Sequence, residues 1–109
     1  MKPQVEDAFA AFEAKGFPLS DIKQGLGRTS AAQYCSFGTT AAAARVVMCE
    51  YADAAAAAAA LPKVRAQVSD ERRRVEVRSR LMLTMLASAT TPEATRERDA
   101  MFEVFAAVE

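Results

Sequence analysis

Apolar residues recur along this chain at two different spacings, and the change from one to the other divides it into elements. Val5, Ala8, Phe9 and Phe12 recur at helical spacing, so residues 3–15 read as an amphipathic helix. Pro3 suits its first position, Glu6 and Asp7 suit its positive N-terminal end, and Gly16 stops it ahead of Phe17-Pro18. Ser20 then caps a short second helix over residues 21–26, which buries Leu19, Ile22 and Leu26. Residues 33–37 and 45–51 switch to the two-residue period of strands, with Gly38, Thr39 and Thr40 between them.

Asp53 is a good N-cap for a helix starting at Ala54, and seven consecutive alanines give that helix strong propensity and a thin profile. Pro62 either kinks it or begins a new turn. Leu61, Val64 and Val68 continue its apolar face, Lys63, Arg65 and Gln67 point away, and Ser69-Asp70 ends it. Residues 72–87 return to strand character. Val75, Val77, Leu81, Leu83 and Met85 share parity, which a hairpin looping at Arg78-Ser79-Arg80 preserves by pairing Val77 with Leu81 and Val75 with Leu83. One long bent strand preserves it too, and the loop lacks the Gly or Asn that tight hairpins favour. Thr91-Pro92-Glu93 opens a last helix to about residue 107, buried through Met101, Phe102, Phe105 and Val108, with Arg96, Glu97, Arg98 and Asp99 in solvent.

The order is α-ββα-ββα, after allowing for the short second helix. It predicts an α+β fold: an antiparallel sheet of three to four strands with the helices on one face. A chain of 109 residues fits a single domain, 1–109.

The two cysteines lie in the first pair of strands. Pairing Cys35 with Cys49 in an antiparallel hairpin sets Phe37 opposite Val47 and Gln33 opposite Tyr51, and every odd residue then falls on one face. That spacing suits a disulfide, closing a loop of about 15 residues for roughly 3 kcal/mol in the chain-entropy model. The alternative is two reduced cysteines packed as small apolar residues. The chain has no histidine, and two thiolates fall short of a structural zinc site, so neither a metal nor another cofactor is expected.

Cys35, a turn, then Val46-Val47-Met48-Cys49-Glu50-Tyr51-Ala52-Asp53 and an alanine-rich helix resembles small uncharacterised bacterial lipoproteins that carry a cysteine hairpin. The resemblance implies no activity. It implies an extracytoplasmic address, in the periplasm or cell envelope. The first residues carry no secretion leader, which fits a cytoplasmic protein and equally a secreted or lipid-anchored one whose leader is absent from this sequence.

Composition narrows the partners. Fourteen basic and fourteen acidic residues cancel, leaving no global drive toward nucleic acid or an anionic membrane. No apolar run reaches the ~20 residues of a membrane helix. Arginine is concentrated at Arg72, Arg73, Arg74, Arg78 and Arg80, and Arg74, Arg78 and Arg80 lie on the face opposite Val75 and Val77. These three are candidate anion-binding residues, although no aromatic side chains are interleaved for base stacking and Asp70, Glu71 and Glu76 dilute the charge. The bland alternative is a solvated strand face that protects a sheet edge.

Three further features invite chemistry. Gly25-Leu26-Gly27 lacks the preceding strand and third glycine of a phosphate loop and reads as a turn. Glu50 and Asp53 could form an acid pair, but without a histidine or a nucleophile motif they read as a solvated glutamate and a cap. Met48, Met82 and Leu86 fall on the even face. If the helices cover the odd face, these three form an outward apolar stripe, the candidate surface for a protein partner or a second copy, unless another element covers it. The sequence therefore predicts a non-enzymatic, extracytoplasmic module that binds a protein or itself, in the latter case as a homodimer. Its alternative is a cytoplasmic domain that grips an anionic partner through the arginine strand.

Overall fold

Helix α1 (Val5–Ala14) turns Val5, Ala8 and Phe12 inward, one stripe of a 3.6-residue repeat. The structure, a computed structural model, describes residues 4–25, 33–67, 73–87 and 91–108. The expectations for Pro3, Leu26-Gly27, Val68, Ser69-Asp70 and Arg72 lie outside them. At the start of α1 the Asp7 carboxylate accepts the Gln4 N–H at 2.8 Å, placing negative charge at the positive end of the helix. At its end Gly16 takes a φ of +89°. The Phe17 N–H donates to the Phe12 carbonyl at 2.8 Å and the Gly16 N–H to the Glu13 carbonyl at 3.1 Å, a Schellman stop that a left-handed glycine favours.

The next segment departs from the expected helix. Residues 20–25 form strand β1 (Ser20–Gly25), antiparallel to β2 (Tyr34–Thr39). Six residues are too few to hold a helix by propensity, whereas a neighbouring strand supplies ladder partners. The Ser20 hydroxyl donates to the Thr39 carbonyl at 3.3 Å instead of capping a helix. Asp21 has a φ of +52°, and the register shifts between Ser20 and Lys23. This irregularity breaks the two-residue alternation by which a strand is recognised.

Strands β3 (Arg45–Glu50), β4 (Arg73–Arg78) and β5 (Leu81–Leu86) complete a five-stranded antiparallel sheet in the order β1-β2-β3-β5-β4, one strand more than the highest count expected. Helices α2 (Ala54–Gln67) and α3 (Pro92–Ala106) lie on opposite faces of it. This corrects the expectation of helices on one face. Between the sheet and the pair α1 and α3, Phe12, Met48, Leu83, Met101 and Phe105 are buried. On the other side Cys35, Cys49, Tyr51, Val75 and Met82 pack against Ala57 of α2. The central strands explain the arrangement: β5 reads Leu-Met-Leu-Thr-Met-Leu, apolar at both parities, as a strand buried on two faces requires.

The β4–β5 hairpin is present, with a loop of two residues rather than three. Arg78 pairs with Leu81, Val77 with Met82 and Val75 with Thr84. A two-residue loop matches odd positions to even ones, so Val75 and Val77 lie on the α2 face while Leu81, Leu83 and Met85 lie under α1 and α3. Ser79 supplies the positive φ, +54°, that such a turn needs in place of glycine. Asp53 caps α2 as expected, accepting the Ala56 N–H at 2.8 Å, and Pro62 lies inside the helix without ending it. Thr91 caps α3 through the Ala94 N–H at 3.2 Å, with Pro92 at the first position.

Candidate functional site

The hairpin register is the one the cysteines required. Cys35 pairs with Cys49 and Phe37 with Val47, and a disulfide joins Cys35 to Cys49 with an S–S distance of 2.05 Å. Both cysteines are buried, beneath the alanine-rich face of α2 that includes Ala57. Alanine at that contact lets helix and disulfide approach closely, which gives the thin profile of α2 a structural use.

Glu50, expected in solvent, is buried. Three groups meet at its carboxylate. Arg80 approaches one oxygen at 3.3 Å, and the Val5 N–H at the head of α1 donates to the other at 3.1 Å. The Tyr34 hydroxyl lies 3.3 Å from that second oxygen and 2.8 Å from Glu6 of α1. Burial first, and then the hydrogen bond to the Glu6 carboxylate, pushes the Tyr34 phenol well above its ordinary pKa. The cluster ties α1, β2, β3 and the β4–β5 turn together. Its carboxylate is neutralised by an arginine, so it offers no free base, and Asp53 serves as a cap.

The arginines proposed for anion binding are engaged within the fold. Arg74 stacks on Phe102 at 4.4 Å from the ring centroid and bridges Asp99 at 3.1 Å. Arg78 Nε donates to the Val108 carbonyl at 3.0 Å, and Arg80 serves Glu50. On α3, Glu97 is not simply in solvent: it accepts the Ala42 N–H at 3.2 Å and ties the helix to the β2–β3 turn.

The expected apolar stripe does not form. Met48 is 0% exposed under α1 and α3, and Met82 is 2% exposed on the opposite face beside the disulfide. The hairpin register separates them, because Met48 pairs with Leu83 while Met82 pairs with Cys49. Leu86 alone of the three reaches an opening.

The described residues line two openings of note. A groove of about 320 Å³ runs between α1 and β1, floored by Phe9, Pro18, Leu19 and Ile22 and edged by Glu6 and Glu13. Ile22 is 53% exposed there, the exposed large apolar side chain among the described residues. A cleft of about 370 Å³ lies on the α2 side of the sheet, lined by Phe37, Arg45, Val47, Arg73, Thr84 and Leu86. Its residues come in rows across the strands. Arg45, Leu86 and Arg73 are direct partners on β3, β5 and β4, and the next row holds Phe37, Val47 and Thr84. The row after that contains the disulfide and Met82. The sequence reading missed Arg45 and Arg73 as a pair. The signal that finds them is the register, which requires the parity change at Ser79-Arg80 to be known first.

Among the described residues no group of Cys, Asp or Glu is placed to hold a metal ion, and no helix is long and apolar enough to cross a membrane. No family model, curated protein or solved structure matches this chain.

Proposed function

We propose that the chain is an extracytoplasmic binding module without catalytic activity, and that it receives a basic, apolar segment of a partner protein in the groove between α1 and β1. The observation that carries this reading is Ile22, exposed on an apolar floor between the carboxylates of Glu6 and Glu13. An apolar strip bordered by acids complements a segment that alternates apolar and basic residues. The disulfide supports an oxidising compartment, the periplasm or cell envelope, and the likeness of the cysteine hairpin to small bacterial lipoproteins supports the same address. Arg74, Arg78 and Arg80 have partners inside the fold, so the reading of an anionic partner on the arginine strand gains no support from the geometry.

The test is titration of isotopically labelled protein with a decapeptide alternating valine and lysine, followed by NMR, beside its valine–glutamate counterpart. The lysine peptide should shift the amides of Phe9, Glu13 and Ile22. Ile22→Lys should weaken it at least ten-fold without lowering the melting temperature, since Ile22 is exposed. Equal binding of the glutamate peptide, or shifts confined to other surfaces, would overturn the reading. So would dimerisation without peptide that Ile22→Lys abolishes, because a second copy would then be the occupant. Thiol titration in denaturant tests the compartment: protein from its native source should show no free thiol.

A further inference from the structure

The two carboxylates that edge the groove between α1 and β1 differ in what surrounds them. Glu6 is held in place. The Tyr34 hydroxyl lies 2.9 Å from one of its oxygens and 2.8 Å from the other, and 3.3 Å from the buried Glu50 carboxylate. Glu13 sits two turns further along α1, roughly 10 Å at the rise of a helix, away from that hydroxyl. Building on the groove reading above, we infer that the partner's cation at Glu6 is a lysine rather than an arginine. Tyr34 is the positioning residue that makes the choice, because its hydroxyl closes the fork of the Glu6 carboxylate.

Geometry carries the argument first. A donor nearly equidistant from two carboxylate oxygens lies on their bisector, in front of the pair. That is where a guanidinium would set two parallel N–H bonds. With the hydroxyl there, a guanidinium keeps one bond to an outer lone pair and loses the second, on which its advantage over an ammonium depends. An ammonium is a compact point charge that needs no fork, and an outer lone pair serves it fully. The hydroxyl is also a lasting donor. Tyr34 is half-buried on β2 and packs against the cluster under α1 and α3. Burial, and then the bond to Glu6, hold its phenol above the ordinary pKa, so the proton stays on at neutral pH. Finally, Glu6 is an exposed side chain on the wall of the groove. A loose glutamate would have to be ordered by the partner, whereas Tyr34 orders this one during folding, so its charge stands ready for a cation.

The test compares the valine–lysine decapeptide with a valine–arginine decapeptide by NMR titration of the full chain carrying Glu13→Gln, which leaves Glu6 as the lining carboxylate. The lysine peptide should bind about three-fold tighter, the size expected of one exposed charged contact. Adding Tyr34→Phe opens the fork, and the arginine peptide should then match or overtake the lysine peptide. Adding Glu6→Gln instead should abolish the preference and weaken both peptides. A purely structural role for Tyr34 would weaken both alike and leave their ratio unmoved, and that outcome would overturn the inference. So would an arginine peptide that binds Glu13→Gln as tightly as the lysine peptide does, a result that needs no Tyr34 variant. Loss of all binding in Glu13→Gln alone, or a preference that survives Glu6→Gln, would place the choice elsewhere and overturn it too. Binding without selectivity leaves the groove reading standing, whereas an unsubstituted protein that binds neither peptide ends both.

Discussion

Single residues in this protein work under unusual demands. Ala43 takes a φ of +65° in the β2–β3 turn, where the Thr40 N–H donates to the Ala44 carbonyl and the Ala43 N–H to the Thr40 carbonyl, both at 2.9 Å. A left-handed residue with a Cβ costs about 1–2 kcal/mol, and glycine avoids most of that at some loss of unfolded-state order. Ala43→Gly should therefore stabilise the protein by up to about 1 kcal/mol, as read from its urea midpoint. A shift in the other direction would show that the turn does not impose this conformation. Tyr34 makes a prediction about pH. Its folded pKa is raised above the unfolded value of about 10, so the folded state retains a phenolic proton that the unfolded state releases. The contribution is present below pH 10 and is lost as pH rises beyond it. Tyr34→Phe loses the hydrogen bonds to Glu6 and Glu50 at neutral pH, but its stability should fall less steeply than that of the parent above pH 10. Parallel alkaline limbs in thermal melts of the two proteins would sink this account.

At the scale of elements, the disulfide belongs to one layer. Cys35 and Cys49 lie beneath α2, while the larger buried cluster sits under α1 and α3. The bridge spans a sequence separation of 14, and losing it should cost roughly 3 kcal/mol by loop entropy. The Cys35→Ala/Cys49→Ala double variant should show that loss in urea. Hydrogen exchange should quicken first in α2, whose buried face is mostly alanine and contributes little apolar area of its own. Equal quickening in α1 would mean that the layers do not separate. The same layering explains what the sequence disclosed. The cysteine register was legible because two side chains in facing strands leave few pairings, and the caps at Asp53 and Thr91 were legible because their partners are local. The two-sided burial was written in the unbroken apolar run of β5, but reading one parity as the interior and the other as surface hid it. β1 was not legible. Its bulge at Asp21 removes the alternation, and its pairing with β2 depends on a strand beyond its own segment. The cleft needed the turn length at Ser79-Arg80, because one residue there decides whether Arg73 faces α2 or α3.

Across the whole molecule, Glu50 is where the layer of α1 is fastened to the sheet. It accepts the first helical N–H of α1, receives the Tyr34 hydroxyl from β2, and pairs with Arg80 from the β4–β5 turn, so elements distant in sequence meet at one buried carboxylate. A buried ion pair gives little net stability against an apolar replacement, but removing one partner strands the other. The side chain of Arg80 is 14% exposed, so Glu50→Ala should cost about 3–5 kcal/mol in urea denaturation. Pairing it with Arg80→Met should recover part of that loss by removing the cation that Glu50 neutralised. Recovery should stay incomplete, because the Val5 N–H and the Tyr34 hydroxyl lose an acceptor in both variants and each uncompensated group costs about 1–3 kcal/mol. The double-mutant cycle thus divides the cluster into an ion-pair part, which the second substitution restores, and a helix-anchoring part, which it does not. Full recovery would mean that Glu50 serves Arg80 alone. A loss below about 1 kcal/mol in Glu50→Ala would mean that α1 is held by the packing of Val5, Ala8 and Phe12 without it. The anchoring part also bears on binding: α1 forms one wall of the groove through Glu6, Phe9 and Glu13, so a loosened helix head should weaken the valine–lysine peptide.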